Sequence, residues 1–482
     1  MSGQPGAAVQ EFGYYIDGEF HVSGERLEVR ARHDSTLVAV TYWTPEAAIE
    51  QAVQAAVATR ATMARLDARE RSAILHRMAD AVAVRSAELV RWLALEAGKP
   101  VKAGRVEVDR CVFTLRNSAE EALRIPNEIV PLDAHPAGRG RFALVRRVPV
   151  GAVLAITPFN FPVNLVAHKL GPAIAAGCPV VQKPSPKTPV TSLVLAEIAR
   201  DAGLPAGALS VIQIRDEQAQ RLCADDRFQL LSFTGSAAVG WQLKARAGKK
   251  RVVLELGGNA GCIVHSDADL DYAAERCIAG GFAYSGQSCI SVQRIFVHRP
   301  VYEPFVARLV ERAEALRVGD PLAEETDVGP MITEAAAARV AEWVAEAIHG
   351  GARALCGARR EGAFYYPTVL VDTAPGMRVN CEEVFGPVVT VAAYDDFDRA
   401  LEAVNASPYG LQAGVFTRDL ERIQRAWEVL EVGGVIANDV PTFRVDHMPY
   451  GGVKESGLGR EGPRYAIEEM TERRLLVLSP SR

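Results

Sequence analysis

Residues 141–156, RFALVRRVPVGAVLAI, read as two β-rich runs, and the chain changes rhythm there. Downstream, strands and helices alternate. A helix near 164–176 closes on Gly177, a short strand covers Pro179–Gln182, and a helix begins near Pro189. Next come a strand over Leu209–Ile214, a helix near 216–223 and a strand over Leu230–Phe233. The loop Thr234-Gly235-Ser236 then opens another helix. Such alternation predicts a parallel sheet covered on both faces. A second series follows Glu255, with strands near 293–297, 388–393 and 413–417 and helices near 301–316, 333–349 and 419–431. The expected fold is therefore α/β, with two doubly wound lobes joined around 255–260. A cleft between such lobes is a common ligand site.

Before 141 the chain reads as helical. Thr44-Pro45-Glu46 has the form of an N-cap, a first-turn proline and an acid, and a further helix runs from about Ser86 to just before Gly98. These segments read as a scaffold without chemistry. The 482 residues suit two or three domains, and a net charge of −5 argues against a dominant grip on nucleic acid. No apolar run reaches the ~20 residues that span a bilayer. The opening MSGQPGAAVQEFGYY lacks the basic and apolar regions of an export signal. The eight cysteines form no C-x-x-C pair and have no histidine at metal-ligand spacing, so no metal is expected and a cytoplasmic setting is.

Three residues invite chemistry. Cys289 lies in Gly286-Gln287-Ser288-Cys289-Ile290, and polar neighbours are unusual around an inert core thiol. Glu255 ends an apolar strand before Gly257-Gly258-Asn259, where burial would raise its pKa and suit it to act as a general base. The other reading is a structural carboxylate on backbone N–H groups. Asn160 sits between Pro158 and Pro162, which fix the loop and bar helix. It is either a turn residue or a rigid amide donor to a developing oxyanion. Gly235 and Gly240 bracket a strand-to-helix turn whose free N–H groups suit a pyrophosphate, although G-x-x-x-x-G is not the Rossmann fingerprint.

Taken together, these segments resemble the aldehyde dehydrogenase superfamily from roughly residue 10 to the C-terminus. TPFNFP is similar to P-W-N-F-P, KPSPKTP to K-P-S/A-E-x-T-P, and FTGSAAVG to F-T-G-S-x-x-x-G. LELGGN and GQSC match the base and nucleophile motifs. EEVFGPV and PYGGVKESGLGREG resemble E-E-I-F-G-P-V and P-F-G-G-x-K-x-S-G-x-G-R-E-G. The resemblance implies an aldehyde oxidised to a carboxylic acid with NAD(P)+ through a thiohemiacetal and thioester on Cys289. Glu255 would be the base and Asn160 the oxyanion donor. Cofactor contacts are implied for Thr157, Pro158, Phe159, Lys183, Ser185, Pro186, Lys187, Gly235, Ser236, Gly240, Leu256, Glu383 and Phe385. It also implies a cofactor-binding domain over 1–130 and 150–258 and a catalytic domain over 259–455. An oligomerisation arm over 131–149 and 456–482 would make a homodimer or homotetramer.

The family's ribose-binding Glu is Pro186 here, with Lys187 beside it. Loss of that carboxylate removes acceptors for the adenosine ribose and repulsion toward a 2′-phosphate, which favours NADP over NAD. Arg110 and Arg444 fall in regions that help line the substrate funnel, and two arginines suit a short hydroxylated or anionic aldehyde or semialdehyde. The plainer alternative is an ion pair with Asp109 or Asp446. Rival functions are a coenzyme A-acylating dehydrogenase, which does not need Glu255, a cofactor-independent cysteine esterase, and a non-catalytic protein on the same fold.

Overall fold

A computed structural model describes residues 9–479. The first eight residues of MSGQPGAAVQEFGYY and the last three of the 456–482 segment lie outside the described residues. Five parallel strands form the centre of an eight-stranded sheet, in the spatial order Arg251–Glu255, Phe228–Thr234, Ala152–Ile156, Val180–Lys183 and Leu209–Val211. Antiparallel Gly457–Leu458 flanks one edge, and the hairpin Tyr14–Ile16 with Glu19–His21 flanks the other. Strand order reverses between Ala152–Ile156 and Phe228–Thr234, so the loops after Ile156 and Thr234 diverge and open a crevice at the carboxyl edge.

The second sheet has seven strands, in the order Arg353–Cys356, Thr368–Val371, Val388–Tyr394, Val292–His298, Ala260–Val264, Gln412–Phe416 and Gly434–Ala437. All but the first run parallel. Its amino edge carries the segments just before Val292 and Val388, which hold Cys289 and Glu383. Alternate residues of the first sheet feed two apolar clusters, one on each face. Helix Asn164–Ala176 is buried along its whole length and ends on Gly177, whose φ of 84° is the left-handed turn expected of a glycine cap.

The N-terminal third differs from expectation. Five short strands, from Gln10–Glu11 to Leu37–Tyr42, precede the helices Glu46–Arg65, Ala68–Val84, Ser86–Ala97 and Val101–Leu123. These strands hold two to six residues each, too few for alternation to register. Pro45, not Thr44, occupies the cap of the first helix, because the Thr44 hydroxyl accepts the Gln213 N–H at 3.0 Å instead.

The two β-rich runs of 141–156 also part company. Ala152–Ile156 enters the eight-stranded sheet. Phe142–Pro149 pairs antiparallel with Asn127–Pro131 and Thr471–Leu478 in a separate three-stranded sheet. Between them Gly151 takes φ 131°. Within the 456–482 segment only Thr471–Leu478 joins that sheet, since Gly457–Leu458 belongs to the large one. No helix among the described residues is long and apolar enough to cross a membrane.

Candidate active site

A cavity of 520 Å³ lies between the carboxyl edge of the first sheet and the amino edge of the second. Cys289, Glu255 and Asn160 all line it, with Pro158, Phe159, Gly235, Ser236, Leu256, Glu383, Phe385, Arg110 and Arg444. Six buried side-chain atoms in its wall have no hydrogen-bond partner among the described residues: Asn160 Oδ1, Thr234 Oγ1, both Glu255 oxygens, Thr442 Oγ1 and Arg444 Nε. Buried polar atoms are normally satisfied, so their gathering at one cavity marks a place prepared for a ligand or water.

The segment before Cys289 is held against its own preference. Tyr284, Ser285 and Gly286 take φ of 49°, 57° and 67°, and left-handed backbone costs about 1–3 kcal/mol at each non-glycine residue. Side chains pin the bend. Tyr284 Oη donates to Ala97 O at 2.9 Å, Ser285 Oγ donates to Gly329 O at 2.7 Å, and Gln287 Oε1 accepts the Ile332 N–H at 2.9 Å. The paired glycines after Glu255 work by their small size. A Cβ on Gly258 would strike the Cys289 carbonyl, and one on Gly257 would strike the Glu383 carboxylate.

Asn160 Nδ2 donates to Gln287 O at 3.1 Å, tying its loop to the one that carries Cys289. Behind it Lys99 and Glu107 form a fully buried ion pair. Lys99 Nζ also donates to Asn160 O at 2.7 Å, while Glu107 Oε1 accepts the N–H groups of Val163 and Asn164 at 2.9 and 3.2 Å.

Burial and the neighbouring Glu461 push the Glu255 carboxyl well above the usual range, against Arg444 and Lys169. Burial also acts to raise Glu461, but Lys169, His168 and Arg444 outweigh it and hold that acid ionised. Lys169 Nζ lies 3.4 Å from Glu461 Oε1, and Arg444 Nη2 donates to Glu461 Oε2 at 3.0 Å. Arg110 makes the ion pair with Asp446 that the plainer reading foresaw, through Nε at 2.9 Å and Nη2 at 2.7 Å. Asp446 also bonds His168 at 2.8 Å and Asn164 at 3.1 Å. Burial pushes the Cys289 thiol up to about 12, with the Tyr450 hydroxyl 2.9 Å from the sulfur acting in the opposite direction.

The remaining expected cofactor residues stand outside the cavity wall. Thr157 is buried at the end of its strand, and its hydroxyl accepts from Gln182 Nε2 at 3.4 Å. Lys183 reaches the exposed Asp216 at 3.3 Å. Ser185 Oγ accepts the Lys187 N–H at 3.2 Å across Pro186, and Lys187 Nζ lies 5.5 Å from the Phe159 ring. A Cβ on Gly240 would overlap Leu256, so helix Ala237–Arg246 lies directly on that side chain.

A nicotinamide dinucleotide fits these residues. Ser236 precedes helix Ala237–Arg246 without a side-chain cap, so the first N–H groups remain free for an anion. Gly258 N–H donates to Glu383 Oε1 at 2.8 Å, and burial pushes this acid up to about 7. Phe385 meets Phe159 edge-on at 5.9 Å. Sequence reasoning did not single out Lys169, His168, Tyr450, Glu461 or Arg339. One signal was available: a lysine and a histidine side by side in the otherwise apolar run LVAHKLGPAIAA.

The model described as "Aldehyde dehydrogenase family" matches residues 21–476. A 3-sulfolactaldehyde dehydrogenase from Priestia aryabhattai is 47% identical over 472 residues, 98% of each chain. An aldehyde dehydrogenase from Physcomitrella patens, solved with the reaction product succinate, is 42% identical. It superposes with a TM-score of 0.96 over 98% of this chain and 99% of its own. An NADP-dependent glyceraldehyde-3-phosphate dehydrogenase from Bacillus halodurans, solved with NADP, is 35% identical with a TM-score of 0.95, covering 97% and 99%.

Proposed function

Because the chain belongs to the aldehyde dehydrogenase family, whose members oxidise aldehydes to acids with NAD or NADP, we propose that Cys289, Asn160 and Glu255 act on a short aldehyde carrying a distal anion. The observation that carries this reading is the cavity wall. The three reacting side chains share it with Arg110 and Arg444, and its orphaned polar atoms await a partner.

The Cys289 thiol loses its proton to water, and the thiolate adds to the aldehyde carbon as the carbonyl π pair moves to oxygen. Asn160 Nδ2 stabilises that oxygen, exchanging its bond to Gln287 O for one to the oxyanion. Bound NAD(P)+ supplies the hydride acceptor at this point. Glu255 then takes a proton from water, which attacks the thioester. The carbon–sulfur bond breaks with its electron pair returning to sulfur, and the acid leaves. Glu461 and Lys169 act on the Glu255 carboxyl through charge, the first raising its pKa and the second lowering it. Free N–H groups after Ser236 would hold the pyrophosphate, Glu383 the nicotinamide ribose, Phe385 the nicotinamide, and Lys183 the adenosine ribose. With Pro186 in place of an acid and Lys183 and Lys187 nearby, NADP is preferred.

Charge supports the anionic substrate. Arg110 and Arg444 bring two guanidinium groups to the cavity wall, beside the buried acids Asp446 and Glu461. Arg110 spends Nε and Nη2 on Asp446 and keeps Nη1 free of protein partners among the described residues. The relatives that act on 3-sulfolactaldehyde or release succinate fit a terminal sulfonate or carboxylate at this place. The three-stranded sheet exposes Ile129, Phe142, Leu475 and Leu476 and has two edge strands, Asn127–Pro131 and Thr471–Leu478, which suits self-association as a dimer or tetramer.

The test is an aldehyde panel with both cofactors, including 3-sulfolactaldehyde, succinic semialdehyde and neutral aldehydes of equal length. Arg110→Gln should raise KM for the anionic members by about 10–100-fold and leave neutral ones within twofold. An equal change for both would overturn the anion reading. A large kcat/KM preference for NAD+ would overturn the cofactor reading.

A further inference from the structure

We propose that Tyr450 is a further catalytic residue, its hydroxyl donating to the Cys289 sulfur as that sulfur becomes and ceases to be a thiolate. This rests on the reading of Cys289 as the nucleophile.

The hydroxyl stands 2.9 Å from Sγ and is the sulfur's only hydrogen-bond partner among the described residues. The ring is held from several sides. It packs with Ile290 and Leu411 in a small apolar cluster against Cys289. The Arg444 guanidinium lies 3.7 Å from its centroid. Its backbone exchanges bonds with Glu461, at 3.1 Å through the Tyr450 N–H and 2.6 Å through its carbonyl. With these contacts the phenol has little freedom to swing away, and its hydroxyl oxygen is held within hydrogen-bond reach of the sulfur before substrate arrives.

That placement answers a local difficulty. The sulfur is buried among apolar side chains, and burial together with Glu383 and Glu255 opposes a negative charge there, with Arg444 acting the other way. An anionic substrate adds to that opposition. A donor aimed at sulfur favours the thiolate over the thiol and lowers its intrinsic nucleophilicity somewhat in exchange. During addition the carbon–sulfur bond forms and the π pair passes to the carbonyl oxygen, so the Tyr450 bond weakens. When the tetrahedral adduct of the thioester collapses, the carbon–sulfur bond breaks and its pair returns to sulfur. The same hydroxyl then stabilises the leaving thiolate. In the segment PYGG, similar to the family's P-F-G-G, this hydroxyl is what distinguishes the tyrosine from the usual phenylalanine.

Tyr450→Phe keeps the ring and removes the donor. Alkylation by iodoacetamide, followed on the Cys289 peptide by mass spectrometry across pH 6–11 in the cofactor-free enzyme, reads the thiolate directly. The variant should react about tenfold more slowly at neutral pH, with its profile shifted to higher pH by about one unit. Its kcat should fall while KM for the aldehyde stays within twofold. An alkylation profile identical to that of the unaltered enzyme would overturn the assignment of Tyr450. Activity retained by Cys289→Ala would instead overturn the nucleophile reading beneath it, so the two failures are separable.

Discussion

Two buried ion clusters flank the cavity, and they differ in how completely they are satisfied. In the pair Lys99–Glu107, every polar group has protein partners: Lys99 bonds Glu107 and Asn160 O, and Glu107 bonds two backbone N–H groups. The rings of Phe161 and Tyr284 close over the ammonium at 3.7 and 4.3 Å. On the other side, the group from Arg110 through Asp446, Arg444 and Glu461 to Lys169 and Glu255 leaves both Glu255 oxygens without a hydrogen-bond partner among the described residues and holds Arg444 Nε only 3.6 Å from Asp446 Oδ1. A closed cluster fixes position, because it has nothing left to offer a ligand. An open one stores unmet interaction for whatever enters.

The comparison breaks most visibly at the closed pair. Lys99→Met leaves Glu107 as a buried charge without its counter-ion and should cost about 3–5 kcal/mol, read as a lower urea midpoint. Replacing both members by Met and Leu should recover most of that loss. Activity should stay low in the double variant, since the Asn160 carbonyl has lost its anchor. Full activity there would mean that the pair serves stability alone.

Asn160→Ala tests the group that the closed pair positions. Here kcat should fall by about 10²–10³ with little change in KM or in the urea midpoint. A loss of stability comparable to that of the Lys99 variant would make Asn160 a scaffold residue instead.

A smaller effect sharpens the contrast from the open side. Glu383 faces the cavity with its pKa raised to about 7 from 4.5. The folded chain therefore stays protonated at a pH where the unfolded chain has ionised. The associated stability is fully present below pH 4.5 and is lost as pH rises to about 7. Relative to Glu383→Gln, the cofactor-free enzyme should lose up to about 3 kcal/mol across that window and stay parallel to it outside. Urea titrations at several pH values measure this difference, and parallel curves throughout would show that Glu383 is ionised in the fold.

Some of this architecture was legible in the chain. The alternation after residue 141 marked two α/β lobes, because a strand buried on both faces must be apolar throughout and its covering helix must be periodic. Gly98 and Gly177 marked helix ends through the left-handed turn. The short N-terminal strands were not legible, since their pairing is supplied by partners such as Leu209–Val211, far away in sequence. Cys289, Glu255 and Asn160 stood out because their immediate neighbours are glycines, prolines and polar residues. Tyr450 and Glu461 did not, because their roles arise from contacts with Cys289 and Lys169 rather than from anything beside them.

Residue order by itself determined the local elements, the bends forced by glycine and proline, and the kinds of chemical group available. Only the packed chain decided that Phe142–Pro149 and Ala152–Ile156, two residues apart, would serve different sheets. It alone decided that Arg110 would meet Asp446 across the cavity wall. The physical reason is range. Backbone preference acts over a few residues, whereas burial, charge pairing and the pKa shifts that follow depend on what the fold brings together from anywhere in the chain.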